Sequence, residues 1–181
     1  MSRLGLYIAV AVGGLALGAG LAWFTRPAPP PVGVEGASVG DPRPPFQHAA
    51  LDGRQVHVDD FDDQLLLVNF WATWCAPCRR EMPLLDQAQR THGDQLTVLG
   101  IAIDDPGAVI EFLDSTPVSY PILVGSTDVV ATQRAWGNAA GALPYTVLVD
   151  REGIIRWQHL GEVSEEELAE KLAAHGLSTP L

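Results

Sequence analysis

Apolar and polar positions divide the chain into three stretches. Leu4 to Phe24 carries no charge over 21 residues. As a helix at about 1.5 Å per residue, such a run reaches ~31 Å, one bilayer core. Thr25 to Pro45 breaks that pattern: seven of its 21 residues are Pro and three are Gly. Such a segment favours extended backbone, builds no core and reads as a linker. From Phe46 to Leu181, strand and helix periods alternate. Phe46–Leu51 and Gln55–Val58 flank Asp52-Gly53, a hairpin signal. Leu65–Trp71 (LLLVNFW) and Leu96–Ile103 (LTVLGIAI) are unbroken apolar runs, which predict central strands buried on both faces. Helices are predicted over Ala76–His92, Pro106–Asp114 and Asp128–Trp136. A short strand is expected at Tyr120–Val124, and a hairpin joins Tyr145–Val149 to Ile154–His159 around Asp150-Arg151-Glu152-Gly153. Ser164 and Glu167 make a capping box for a last helix. The order predicts one α/β domain with a mixed sheet and helices on both faces.

Composition narrows the function classes. The chain is 47% hydrophobic and 18% charged, which excludes a disordered polymer. It holds 22 acidic against 11 basic residues and has no bulk basic footprint for nucleic acid. Eight basic and 20 acidic residues lie from Phe46 onward, so the acidity belongs to the domain. The N-terminal run reads either as a membrane anchor or as a signal peptide with a long apolar region, Gly18-Ala19-Gly20 being a small-residue cleavage candidate. Its length favours the anchor, over residues 1–24, and either reading exports the domain.

Two cysteines, Cys75 and Cys78, are too few for a stapled scaffold or a closed four-cysteine zinc site. Their place decides the chemistry. The buried strand Leu65–Trp71 runs through a short turn into Trp74-Cys75-Ala76-Pro77-Cys78, which opens a helix. Cys75 at or near the N-cap meets unpaired N–H groups and the positive end of the helix dipole, which stabilise a thiolate. Pro77 fits the first turn, where a missing N–H costs nothing. Cys78, one turn on, faces inward. Cys75 is therefore expected to attack and Cys78 to resolve. A purely structural disulfide would stabilise little across so short a loop. The five histidines show no paired metal spacing, and no metal or cofactor is implied.

At these residues LLLVNFWATWCAPCRREMP resembles the thioredoxin superfamily, and more closely its TlpA/ResA-like (DsbE-like) branch of membrane-anchored thiol–disulfide oxidoreductases. The resemblance covers about Phe46 to Leu177. It implies a thioredoxin fold with an extra N-terminal β-hairpin and an inserted αβ element in the 65 residues between Cys78 and Pro144. It also implies a cis-proline loop, matched by Ala142-Leu143-Pro144-Tyr145-Thr146, which would leave the Leu143 backbone free to pair with a substrate strand. Tyr145 departs from the Thr that many relatives carry there. Asn69 stands where thioredoxin has a buried Asp, and Glu81 matches the motif-distal Glu of ResA-like proteins. Glu81 lies one turn beyond Cys78, on the helix surface near the thiols, and is expected either to exchange protons with them or to be an ordinary solvated Glu. Trp74, Ala76, Pro77, Leu143, Pro144 and Tyr145 are the expected substrate contacts. Arg79 and Arg80 either stabilise the Cys75 thiolate or are simply exposed.

The expected activity is reduction of protein disulfides in the periplasm of a bacterium, from an inner-membrane anchor. Candidate substrates are apocytochrome c or copper-site cysteines, with a CcdA- or DsbD-like membrane thiol transporter as electron donor. Two other classes compete. A Sco-like copper protein would need C-x-x-x-C spacing and a downstream His. A thiol peroxidase would need a Pro-x-x-x-Thr stretch before its cysteine.

Overall fold

The computed structural model describes residues 36–177. The expected anchor and the first half of the linker lie outside the described residues. Among the described residues no helix is long and apolar enough to cross a membrane.

Strands β1 (Gln47–Ala50) and β2 (Gln55–His57) form the first hairpin. Its turn needs Gly53 at φ +83°, a conformation without penalty only for a residue lacking Cβ. A 3-10 turn, Val58–Phe61, leads to β3 (Leu65–Trp71). Then follow α1 (Ala76–His92), β4 (Leu96–Ile103), α2 (Pro106–Ser115), β5 (Ile122–Gly125) and α3 (Thr127–Ala135). The chain closes with β6 (Tyr145–Val149), β7 (Ile155–Leu160) and α4 (Glu165–Ala173). These bounds lie within one or two residues of the predicted ones, the usual spread at element ends.

All seven strands form one sheet in the order β2-β1-β5-β4-β3-β6-β7. β3, β4 and β5 run parallel; β6 pairs antiparallel with β3 and β7 with β6. The N-terminal hairpin attaches to the inserted strand β5, antiparallel, through Ala49 and Ala50. The two additions to the central sheet thus support each other at its far edge.

Every residue of β3 is buried, and its side chains alternate between two cores. Leu65, Leu67 and Trp71 face a layer that holds Met82 and Leu85 of α1, Val109 of α2, and Leu168 and Leu172 of α4. Leu66, Val68 and Phe70 face the opposite layer, with Phe46, Val129 of α3 and Trp136. This two-sided burial is why the run reads as continuously apolar instead of alternating. His48, 2% exposed, joins the hairpin to α3 through Asp128 Oδ2 at 3.0 Å and Thr132 Oγ1 at 2.9 Å.

One boundary differs from the sequence reading. Gly36–Pro45 belong to the folded unit although their composition reads as linker. The Ala37 N–H donates to the Ala135 carbonyl, Gly40 N–H to Ile155 O, and Arg43 N–H to Gly153 O; Pro42 bridges to Ile154. Prolines lack donors, but the residues between them supply the hydrogen bonds. Composition does not register that distinction.

Gly100 in β4 marks a close approach. A Cβ there would lie 2.5 Å from Ile122 Cδ1, 3.1 Å from Trp71 Nε1 and 3.2 Å from Tyr120 Cε2. These neighbours are themselves packed, so Gly100→Ala is expected to destabilise by about 1–3 kcal/mol. Urea unfolding compared with the parent measures it; an unchanged midpoint would show that the pocket yields.

Candidate active site

The site forms where β3 ends. Trp71 is the last strand residue, and the turn after it is held by Asp104 at the end of β4. Asp104 Oδ2 accepts from the Thr73 N–H at 2.9 Å and from the Thr73 hydroxyl at 2.6 Å. Burial opposes ionisation of Asp104, but these hydrogen bonds outweigh it and hold its carboxyl below the ordinary value. No motif in the sequence singles out Asp104; the parallel pairing of β3 with β4 brings it here.

Cys75 is the N-cap of α1, with extended backbone, and its Sγ accepts from the Cys78 N–H at 3.3 Å. The sulfur takes the place of the oxygen of a Ser or Asp cap. Pro77 occupies the first turn. Cys75 and Cys78 are joined as a disulfide with Cα atoms 5.3 Å apart. Cys75 is 5% exposed and Cys78 is fully buried, so a thiol partner can reach only Cys75. Beside it Trp74 is 69% exposed, an unusual position for an indole, and Ala76 is exposed as well. Trp71, by contrast, is core, packed against Phe112 of α2.

The Leu143-Pro144 bond is cis. β6 runs antiparallel to β3 with Phe70 opposite Tyr145, so the loop before β6 and the motif after β3 emerge at the same end of the sheet. The Ala142 carbonyl is pinned by Gln133 Nε2 at 3.1 Å and Asn138 Nδ2 at 2.7 Å, and the Pro144 carbonyl accepts from the Gly161 N–H at 2.9 Å. Between these anchors the Leu143 backbone makes no hydrogen bond with the described residues. It is therefore available to an incoming strand. Tyr145 requires correction. Its ring is buried, 4% exposed, and its hydroxyl donates to the Trp136 carbonyl at 2.8 Å. The strand alternation turns it into the core opposite the cysteines, so its side chain is no substrate contact.

Glu81 differs more from expectation. It is 2% exposed, not on a solvated helix surface. Asn69 Nδ2 of β3 donates to Oε1 at 2.8 Å, and the Val163 N–H donates to Oε2 at 2.8 Å. Asn69 Nδ2 also contacts Thr146 Oγ1 of β6 at 3.0 Å. Burial pushes the Glu81 carboxyl up to about 7, against the pull of these hydrogen bonds, with Glu162 raising it further. Cys78 and Glu81 share the buried face of α1 one turn apart. Arg80, meanwhile, is exposed and bound to Glu162 through Nε and Nη2, which leaves it no part in stabilising a thiolate.

A barely accessible sulfur at a helix N-cap, a fully buried second sulfur and a neighbouring open-backbone proline loop define a thioredoxin-fold thiol–disulfide oxidoreductase. Residues 39–158 match the model of the AhpC/TSA family. The chain belongs to that thioredoxin-like family, on its TlpA/ResA/DsbE-like branch. It is 30% identical over 141 residues to thioredoxin-like protein YneN of Bacillus subtilis strain 168, covering 76% of this chain and 80% of that one. It is also 30% identical over 137 residues to the thiol-disulfide oxidoreductase ResA of Geobacillus thermodenitrificans, covering 75% and 76%. A crystal structure assigned as the thiol:disulfide interchange protein DsbE of Chlorobium tepidum superposes with TM-score 0.68 at 25% identity, over 78% of this chain and 99% of that one.

Glu81 gives a stability prediction with a definite sign. Its carboxyl titrates near 4.5 when unfolded and near about 7 when folded. Its contribution is full below pH ~4.5, falls as pH rises, and has gone above about pH 7, a loss of roughly 3 kcal/mol. Glu81→Gln, which keeps the shape and cannot ionise, is expected to flatten the pH dependence of unfolding over that window. Parallel curves for parent and variant from pH 4 to 8 would contradict the assignment.

Proposed function

We propose that this oxidoreductase works as a reductase of protein disulfides, exported and held at the outer face of the inner membrane of a bacterium by its N-terminal segment. The asymmetry of the two sulfurs carries the reading: one reachable at a helix cap, the other buried beside an acid. In the reduced protein the Cys75 thiolate attacks a substrate disulfide. The Cys75–substrate S–S bond forms, the substrate's own S–S bond breaks, and one substrate sulfur leaves as thiolate. Cys78 then gives its proton to Glu81, whose carboxyl near about 7 suits it to accept at neutral pH. The Cys78 thiolate attacks Cys75 Sγ, closes the internal disulfide and releases the second substrate thiol. Two electrons pass to the substrate and the dithiol is oxidised.

Two features support the reducing direction. Ala76-Pro77 lacks the basic residue that would stabilise thiolates between the cysteines. The ionised Glu81 disfavours a nearby thiolate, and a destabilised dithiolate favours its disulfide. Such a reductant in an oxidising compartment needs electrons from across the membrane, and a CcdA- or DsbD-like thiol transporter has that chemistry. The uncharged run Leu4–Phe24 supports the anchor and the extracytoplasmic side. Apocytochrome c and copper-site cysteines are the proposed substrates. They are paired cysteines that such a compartment would otherwise keep oxidised. The Pro-x-x-x-Thr stretch of a peroxidase is missing from the sequence before Cys75, which disfavours peroxide reduction despite the family's breadth.

Cys78→Ser is expected to accumulate mixed disulfides with protein substrates through Cys75, and Cys75→Ser to accumulate none, as read on non-reducing gels of cell envelopes. Trapping by Cys75→Ser alone would reverse the roles.

The Cys75–Cys78 potential, set against a dithiothreitol or glutathione series, is expected between roughly −200 and −300 mV, well below the ~−120 mV of a strong oxidant such as DsbA. Glu81→Gln is expected to raise it above pH 7. A parent value above about −150 mV would mark an oxidase instead.

A further inference from the structure

A groove of about 420 Å³ opens beside the reactive disulfide, lined by Ala76, Arg79, Arg80, Phe112 and Thr116. It lies between the first turn of α1 and the last turn of α2. Its two arginines are not equivalent. Arg80 is already neutralised by Glu162. Arg79 is exposed and has no carboxylate partner among the described residues, in a domain where acidic side chains outnumber basic ones. It is nevertheless placed: its guanidinium lies over the Phe112 ring, 5.7 Å from the centroid. That contact restrains the side chain without using its hydrogen-bond donors. Its backbone is fixed too, because the Arg79 N–H donates to the carbonyl of Cys75.

We propose that this groove seats one carboxylate side chain of the protein whose cysteine is exchanging with Cys75, paired with Arg79. The occupant is an Asp or Glu within a few residues of the partner's cysteine. Charge complementarity argues for it. A restrained, unpaired guanidinium with five donors matches a carboxylate fork. The net negative domain disfavours a broadly acidic partner, so the contact acts as a local selector and not as long-range steering. Phe112 supplies the platform, and the neutral Ala76 leaves room for the partner chain beside the sulfur. The proposal rests on Cys75 exchanging with polypeptide disulfides, as set out above.

The test uses synthetic peptides with one cysteine carried as a glutathione mixed disulfide. A single Glu is placed at each of the four positions on either side of the cysteine, with a Gln counterpart for each. The readout is the Glu/Gln ratio of exchange rates with the reduced protein, so any general loss of rate in a variant cancels. At one or more positions the ratio is expected to reach about threefold to fivefold at low ionic strength. It is expected to fall towards one in ~1 M salt, where the screening length is about 3 Å. Arg79→Gln is expected to bring the ratio to about one, Arg79→Lys to restore part of it, and Phe112→Leu to reduce it by freeing the guanidinium. A ratio near one at every position in the parent, or a ratio that survives Arg79→Gln, overturns the proposal and leaves the exchange reaction standing. No exchange with any peptide, Gln versions included, overturns both.

Discussion

Burial of β3 on both faces is the constraint from which the site follows. A strand covered by helices on either side must be apolar throughout or must satisfy any polar side chain from within the protein. β3 has one such side chain, Asn69, fully buried. The pleat turns Asn69 towards α1, the face occupied by Leu67 and Trp71. There its Nδ2 donates to Glu81 and Thr146, while its buried Oδ1 finds no hydrogen-bond partner among the described residues. One polar position in the central strand thereby fixes a carboxylate one turn below the resolving sulfur. The second oxygen of that carboxylate is taken by the backbone of Val163, just ahead of α4. The acid thus joins the central strand, the active-site helix and the entry to the last helix. This explains how it can be buried at all: desolvation is offset in part by two charge-assisted hydrogen bonds, and the remainder appears as a raised pKa.

The elements were legible in the sequence wherever burial is two-sided or a breaker stands at a boundary. LLLVNFW and LTVLGIAI read directly as central strands, and Cys75-Ala76-Pro77 as a helix start. The placement of Cys75 and Cys78 at the helix opening was equally legible, because it follows from local order along the chain; the cis bond at Pro144 was expected only from the family resemblance. Glu81 was only half legible. Spacing placed it beside Cys78, but on a helix surface, where a Glu is ordinarily solvated. What buries it comes from Val163, 82 positions away. Tyr145 failed for a related reason. Its place beside Pro144 suggested the substrate side, whereas the strand period beginning at Tyr145 turns the ring towards Phe70 and Trp136. Gly36–Pro45 failed because composition counts prolines and not the donors between them.

The loop opposite the cysteines shows how polar side chains from outside the motif prepare it. Gln133 and Asn138 come from α3 and the segment after it, and both place an amide on the Ala142 carbonyl. Gly161, beyond β7, holds the Pro144 carbonyl. The two fixed carbonyls flank Leu143, so its backbone is already ordered and would lose little further freedom in pairing with an added strand. Asp104 does the same for the other side through Thr73. Neither group of residues hydrogen-bonds to a sulfur. Both fix where the two loops stand relative to each other, and an exchange reaction requires three sulfurs to approach in line.

The placement of charge around the pair has a consequence for its chemistry. The first turn of α1 presents its free N–H groups to the sulfurs, which lowers the cost of a thiolate at Cys75. In the mechanism proposed above, the buried carboxylate, which shares the buried face of α1 with Cys78, acts on the other sulfur with the opposite sign. Attack therefore begins at the residue where the negative charge is best tolerated, and the second thiol stays protonated until its proton has an acceptor. If both thiols were equally acidic, closure by Cys78 would not wait on a proton acceptor, and the fully reduced partner would be released as soon as the mixed disulfide formed. A proton acceptor near about 7 makes the release step respond to the protonation of one group, and that group is held by three separate elements of the fold. In the proposed mechanism the helix end supplies the nucleophile, and the strand-to-helix carboxylate governs how long the mixed disulfide lasts.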